Sequence, residues 1–244
     1  MAYIEHEETY KGYNIRIEQD EYAESPVDKW DFLGSFVCFH SRYSLGHENE
    51  NDLELWLMRA IDPDVAARIE DKYNRFECPN KDLIDALMEQ FGKENICLPV
   101  YMYDHGGITI NTSGFSCSWD SGQIGFIYVP KEKIRKEYGV KRISPKLRKN
   151  VQEILKSEIK SVDDYLTGNV YGFRILDAQE NDIDSCWGFY GDSEYCLQAA
   201  RESADFYRAE YDRTIRARVY GIAADTAARV KMEAPFRFRP AVLA

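Results

Sequence analysis

The sequence lacks closely spaced metal ligands and long apolar runs. Its six cysteines are far apart, with no C-x-x-C pair, and it contains only four histidines. Zinc sites and redox motifs normally need such pairs, so neither is indicated. No segment approaches the roughly 18 apolar residues that cross a bilayer, and the first residues form no apolar signal-peptide core. We therefore expect a soluble cytoplasmic protein with reduced thiols, no membrane association and no cofactor.

Positive charge is also scarce, and it is unevenly placed. The chain has 31 Lys and Arg against 42 Asp and Glu, a net charge of −11. Residues 1–97 carry 22 acids and 10 bases, residues 98–129 contain no Lys or Arg, and residues 130–160 carry 11 bases and 4 acids. An acidic surface repels nucleic acid and favours basic partners. The basic segment nevertheless permits a local contact with phosphate.

Three nucleotide and protease motifs are absent as well: GxxxxGK[ST], GxGxxG and HExxH. The chain does contain enough apolar residues for a full hydrophobic core, with 44% hydrophobic and 14% aromatic residues. The hydrophobic periodicity predicts two strands, three helices, three strands, two helices, two strands and a long final helix. Strand runs separated by helix runs indicate an α+β fold, with helices packed on a mainly antiparallel sheet.

No linker rich in Pro, Gly or Ser divides the chain. We therefore predict one domain over residues 1–223, with an acidic helical insertion at about 51–95. Residues 224–244 are predicted to form a loose C-terminal tail.

One stretch carries a candidate thiol site, YDHGGITINTSGFSCSWDSGQIGF (103–126). Cys117 would be the nucleophile, His105 its base, and Asp104 or Asp120 the carboxylate that orients the imidazole. The alternative is structural: Gly106 and the glycine after it make a hairpin turn, and the thiol is a small strand residue. A site for phosphate chemistry would need a cation here, and the stretch supplies none.

An acidic loop, HSRYSLGHENEND (40–52), could hold a cation between His40, His47 and its carboxylates Glu48, Glu50 and Asp52. The interpretation that we favour is an exposed loop leading into a helix, because acids at a helix N-terminus suit its dipole. We therefore predict no metal site.

The basic run KEKIRKEYGVKRISPKLRKNVQEILKSEIK (131–160) could contact nucleic-acid phosphates. Lys146, Arg148 and Lys149 are the candidate residues. The alternative is a solvated helix face that pairs with the acidic helices of the same chain, and direct nucleic-acid binding is the less favoured interpretation.

The segment LPVYMYDHGGITINTSGFSCSWDSGQIGFIYVPKEKIRKEYG, with DDYLTGNVYGFRI and DSCWGFYG downstream, resembles a group of uncharacterised proteins encoded by bacteriophages, prophages and other mobile elements. The resemblance covers roughly residues 95–195. It implies a genomic context, and with it the cytoplasm of a host cell, but it assigns no activity and no catalytic residue.

The leading hypothesis is therefore an accessory protein of the counter-defence type, which binds and inhibits or redirects a host factor. A basic nucleic-acid-binding protein or a defence protein of the host would suit an acidic contact surface. The oligomeric state is left open. A small cysteine-dependent hydrolase or transferase and a nucleic-acid-binding module are the alternatives. The predicted partner-binding residues are Glu48, Glu50, Asp52, Glu54, Asp182 and Asp184.

Overall fold

The computed structural model describes residues 3–73 and 81–233. Its strands are β1 (Ile4–Tyr10), β2 (Tyr13–Gln19), β3 (Ser35–Cys38), β4 (Glu48–Asn49), β5 (Asn95–Asp104), β6 (Ile108–Asn111), β7 (Ser121–Pro130), β8 (Val170–Leu176) and β9 (Asp182–Tyr190). Its helices are α1 (Pro26–Lys29), α2 (Leu53–Ala60), α3 (Pro63–Tyr73), α4 (Lys81–Glu94), α5 (Lys131–Glu137), α6 (Pro145–Leu166) and α7 (Ser193–Glu233).

The predicted α+β class is confirmed, with two mostly antiparallel sheets and the long helix α7 packed on one of them. The sheet orders are β1-β2-β8-β9 and β4-β3-β7-β5-β6. The chain divides into two compact units. Unit 1 comprises Met1–Glu18, Gly172–Trp187 and Ser193–Ala244, and unit 2 comprises Gln19–Tyr171 and Gly188–Asp192. A single domain over residues 1–223 stays a prediction.

The five-stranded sheet of unit 2 is covered on both faces. Ile127 and Val129 of β7 share a core cluster with the apolar stripe of α6. Phe126, which directly precedes Ile127, belongs to a second cluster with α2 and α4. Because side chains alternate across a strand, a strand buried on both faces reads as a continuous apolar run, as QIGFIYV does. The α6 residues in the first cluster are Val151, Leu155, Ile159 and Val162.

Strands β3 and β7 approach each other at a glycine. Gly125 pairs with Cys38, and a Cβ at Gly125 would lie only 1.9 Å from the carbonyl oxygen of Val37. No side chain fits at that distance, so the pairing requires glycine.

A half-buried carboxylate joins helix α6 to the residues just before β3. Glu158 accepts hydrogen bonds from the backbone N–H groups of Leu33 at 2.5 Å and Gly34 at 3.1 Å. Burial raises the pKa of Glu158, while the two backbone bonds and Lys133 act in the opposite direction. The carboxylate thus satisfies two donors that precede the strand.

Unit 1 packs α7 on its four-stranded sheet. Strands β1 and β2 form a hairpin whose turn residues, Lys11 and Gly12, have φ values of 50° and 91°, as a tight hairpin turn requires. Arg201 of α7 makes a two-pronged contact with Glu8 of β1, with both N···O distances 2.8 Å. The helix buries Cys196, Leu197, Ala200 and Ala204.

Several boundaries differ from those that the sequence predicts. The periodicity predicts neither strand β1 nor the short helix α1, and the polar, mostly exposed composition of β1 explains why it shows no strand pattern. Helix α7 continues to Glu233 and so includes the first part of the predicted tail, 224–233, a segment rich in alanine, the strongest helix former. The loose tail stays a prediction. Residues 234–244 of the predicted tail lie outside the described residues.

Among the described helices, none is both long enough and apolar enough to pass through a bilayer.

Candidate functional site

The predicted thiol site lies where two strand connections meet. The turn between β5 and β6 is closed by the His105 N–H, which donates to the Gly107 carbonyl at 3.2 Å. The Asp104 N–H donates to the carbonyl of Asp120 at 2.9 Å, which places the start of β7 beside this turn. The structure therefore brings the hairpin turn and the loop containing Cys117 together, although they are separate in sequence.

Within this cluster the carboxylate of Asp120 occupies the centre. Its Oδ2 lies 3.4 Å from Nδ1 of His105 and accepts a weak hydrogen bond from Sγ of Cys117 at 3.9 Å. A thiol–imidazole pair requires the imidazole to contact the thiol, whereas within the described residues His105 contacts the carboxylate. The His105 side chain is 70% exposed. A catalytic role for Cys117 stays a prediction.

The fourth predicted member, Asp104, has other partners. Its Oδ2 accepts hydrogen bonds from Arg42 at 3.0 Å and from the hydroxyl of Tyr43 at 3.2 Å. Both donors come from the loop after β3, and no sequence pattern connects that loop with the hairpin. Arg42 therefore supplies this turn with the cation that residues 98–129 lack.

Three of the six acids predicted to bind a partner make contacts inside unit 2. Glu48 accepts hydrogen bonds from Nε1 of Trp56 at 2.8 Å and from the hydroxyl of Tyr128 at 3.3 Å. Burial, and next the charge of Glu48, raise the pKa of Tyr128 to about 12. Glu50 pairs with Arg59 at 3.1 Å. These side chains line a cavity of about 300 Å³.

The remaining acids differ in their availability. Asp52 caps α2 by accepting from the Leu55 N–H at 3.0 Å. In unit 1, Asp182 accepts three hydrogen bonds of 2.7–2.9 Å from Arg174, and Asp184 accepts one from the hydroxyl of Ser203 at 2.5 Å. Within the described residues Glu54 alone of the six makes no hydrogen bond or ion pair.

The two histidines of the acidic loop have structural contacts. His47 accepts the Phe36 N–H on Nδ1 at 3.0 Å, and its burial lowers the pKa of the imidazole. His40 accepts the Arg42 N–H at 3.2 Å and stacks on Tyr43 with ring centres 4.9 Å apart. The described part of the chain contains no group of three or more His, Cys, Asp or Glu side chains arranged to hold a metal ion.

A basic groove is the feature that the sequence located only in part. It is a cavity of about 490 Å³ between α5 and the start of α6. Gly139, with a φ of 61°, lets the chain turn after α5, and Ser144 caps α6 by accepting the Leu147 N–H at 3.2 Å. The groove is lined by Lys131, Arg135, Lys141, Arg142, Ile143, Ser144, Pro145 and Arg148.

Most cations of the groove have no counter-ion. Lys131 donates to the backbone carbonyl of Gly92 at 3.2 Å. By contrast, no hydrogen bond or ion pair within the described residues engages the side chains of Arg135, Lys141, Arg142 and Arg148, all of which are exposed. The first turn of α6 contains no acid, so its free N–H groups add to the positive potential.

The field of the groove extends to a neighbouring thiol. Burial raises the pKa of Cys97 to about 12, and the charges of Lys131 and Arg148 act against that rise. Of the residues predicted to bind nucleic acid, Arg148 lines the groove. Lys146 and Lys149 lie on the same helix without lining it. The excess of basic residues over 130–160 is the sequence feature that indicates the other cations of the groove.

No protein-family model, no curated protein and no solved structure matches the chain.

Proposed function

We propose that the protein binds the phosphate backbone of nucleic acid through the basic groove. The observation that carries the proposal is the set of four exposed cations without counter-ions around one cavity: Arg135, Lys141, Arg142 and Arg148. Like charges gathered without a partner repel one another, and a bound polyanion relieves that repulsion. Arginine suits this role because its planar guanidinium donates two parallel hydrogen bonds to a phosphate.

The overall charge of −11 does not prevent such contact. The Debye length at physiological ionic strength is about 8 Å, so exposed acids farther away than this are largely screened. Charges that touch the phosphates decide the local potential, and the groove lining contains none of the acids. We therefore expect modest affinity that depends steeply on salt.

Binding of a host factor through the acidic residues stays a prediction, and the contacts described above do not favour it. A docking surface needs carboxylates that can meet a partner, yet Glu48, Glu50 and Asp182 already hold donors of their own chain. Breaking such contacts would cost much of what a new ion pair gains. The basic groove requires no such exchange.

Fluorescence anisotropy with labelled duplex and single-stranded oligonucleotides, titrated over a series of salt concentrations, tests the proposal. The informative variant is Arg142→Gln/Arg148→Gln. The matched control is Lys146→Gln/Lys149→Gln, which removes the same charge from the same region outside the groove. Each phosphate contact contributes about 0.9 to the slope of log K against log salt on duplex DNA, so the groove variant should flatten the slope by about two.

We expect the groove variant to weaken binding at least about tenfold, and the control to weaken it less than about threefold. Equal losses in the two variants would mean a diffuse electrostatic contact and would overturn the groove as the site. Displacement of the oligonucleotide by micromolar ATP would also overturn the proposal, because the groove would then be a site for small phosphate ligands. An affinity for both oligonucleotides that does not change with salt would equally exclude it.

A further inference from the structure

The basic groove is lined by apolar as well as charged side chains. Its lining includes Ile143 and Pro145 among the cations. Ile143 is half-buried and packs against the core cluster of α6, so it forms the inner side of the groove, whereas Pro145 is exposed. Binding of phosphate alone needs only polar donors. Apolar lining among cations fits a ligand that carries flat apolar rings together with its phosphates.

The shape of the groove separates two forms of nucleic acid. It is a concave space of about 490 Å³, and clefts of roughly 300–1,000 Å³ take ligands of small-molecule size. A duplex carries its phosphates on the outside of a broad cylinder and keeps its bases stacked inside, so it can touch the rim of such a cleft without filling it. A single strand is narrower and can turn its bases outward, so a phosphate and a neighbouring base can enter together.

Tyr138, at the end of α5, adds an exposed aromatic ring to this region. It is the only aromatic residue of 131–160, and it is 40% exposed. In the part of the chain that the structure describes, its ring makes no aromatic or cation–π contact and its hydroxyl makes no hydrogen bond. Its backbone N–H still donates to the carbonyl of Ile134 at 3.0 Å, so the residue continues the direction of the helix.

Helix geometry places this ring on the groove side of α5. At about 100° per residue, Lys131, Arg135 and Tyr138 fall within an arc of about 60°. The first two of these line the groove. Large side chains on a helix lean toward its N-terminus, so the ring of Tyr138 lies over the turn that contains Arg135. The ring is therefore at the edge of the groove, next to its lining.

We propose that the groove takes a single strand, with a phosphate among its cations and an adjacent unpaired base stacked on the ring of Tyr138. This inference rests on the proposed function, because it names the form of nucleic acid that the groove binds. Every base has a π face, so stacking on an aromatic ring adds affinity without a preference for sequence. The phosphate contacts supply the dependence on salt, and the ring supplies the discrimination against a duplex.

Fluorescence anisotropy with a labelled single strand and the corresponding duplex tests the inference. The wild type should bind the single strand at least about tenfold more tightly than the duplex. Tyr138→Ala should weaken binding of the single strand at least about fivefold, because it removes the stacking surface. Its slope of log K against log salt should not change, because no charge is removed. Tyr138→Phe keeps the ring and should bind within about twofold of the wild type.

The matched control is Tyr22→Ala. Tyr22 is 90% exposed and lies just after Asp20, whose N–H donates to the carbonyl of Val170 beyond the end of α6. The groove lies at the start of this helix, which has 22 residues and is therefore about 33 Å long. We expect the control to bind the single strand within about twofold of the wild type.

A single strand with abasic central nucleotides separates the bases from the phosphates. It keeps the charges that the groove contacts but offers no base to the ring. We expect the wild type and Tyr138→Ala to bind it with the same affinity, within about twofold. If Tyr138→Ala loses as much affinity for the abasic strand as for the intact strand, the ring supports the groove and not a base, and the inference is overturned.

The remaining outcomes distinguish this inference from the proposed function. Equal affinity of the wild type for single strand and duplex overturns the inference, and so does a Tyr138→Ala variant that binds like the wild type. In both cases a selective loss in Arg142→Gln/Arg148→Gln would still support the groove as a nucleic-acid site. An equal loss in Tyr22→Ala overturns the assignment to Tyr138. If none of the oligonucleotides binds, both the inference and the proposed function are wrong.

Discussion

Removing the carboxylate of Glu158 should destabilise unit 2 markedly. This group accepts two backbone N–H bonds, from Leu33 and Gly34, at the entrance to β3. A hydrogen bond to a charged acceptor contributes about 1.5–3 kcal/mol, and a buried donor left without a partner is costly. The desolvation of the carboxylate, visible in its raised pKa, offsets part of this gain. We expect Glu158→Ala to lower the free energy of unfolding by about 2–4 kcal/mol.

Urea unfolding followed by circular dichroism measures this loss, with Glu153→Ala as the matched control. Glu153 lies on the same helix, but it makes only an exposed pair with Lys156. Its removal should change the free energy of unfolding by less than about 0.5 kcal/mol. If the two variants are equally stable, the carboxylate does not hold the start of β3 and the reasoning fails.

The pH dependence has a definite sign. Because the pKa of Glu158 is raised in the folded protein, the folded state binds this proton more readily than the unfolded state. This contribution to stability is complete below the unfolded pKa and is lost as the pH rises through the folded pKa. The stability of the wild type relative to Glu158→Gln should therefore decline with rising pH across that window. A difference that grows with pH would contradict the burial described above.

Two further perturbations test the environment of the candidate sites. Glu48→Gln replaces a carboxylate that accepts hydrogen bonds from Trp56 and Tyr128, and it should lower the free energy of unfolding by about 1–2 kcal/mol. Glu54→Gln is the control and should have almost no effect. Equal stability of the two variants in urea would contradict this expectation. Iodoacetamide labelling of the folded chain, read by mass spectrometry, should modify the exposed Cys186 and spare Cys38 and Cys196. These two are buried, and burial raises their pKa values. If Cys117 reacts far faster than Cys186, the thiol nucleophile gains support, and labelling of Cys196 before unfolding would contradict its burial.

The elements that the sequence predicts well have strong patterns of their own. Helix α6 shows an unbroken apolar stripe between a capping serine and a terminal glycine, and β7 shows a continuous apolar run. The division of the strands into two sheets has no such local signal. It depends on β2 lying beside β8, a neighbour that follows far along the chain.

The candidate sites show the same contrast. The charge excess of residues 130–160 locates the basic groove, but the convergence of its cations depends on the turn after α5. Contacts such as Arg42 with Asp104, or Glu48 with Trp56 and Tyr128, join residues that share no sequence pattern. The composition gives the number of charged residues, whereas the packing of the fold decides which of them have no ion-pair partner.

The position of β2 beside β8 also affects how the protein can be synthesised. Almost all of unit 2, from Gln19 to Tyr171, is translated between these two strands. At 5–20 residues per second, the ribosome needs on the order of ten to thirty seconds to produce that segment. During this interval the side chains of Ile15 and Ile17 in the β1–β2 segment stay exposed to solvent, although both are fully buried in the folded protein. Unit 2 can therefore complete most of its own folding first, and the nascent hairpin is where a chaperone would be needed.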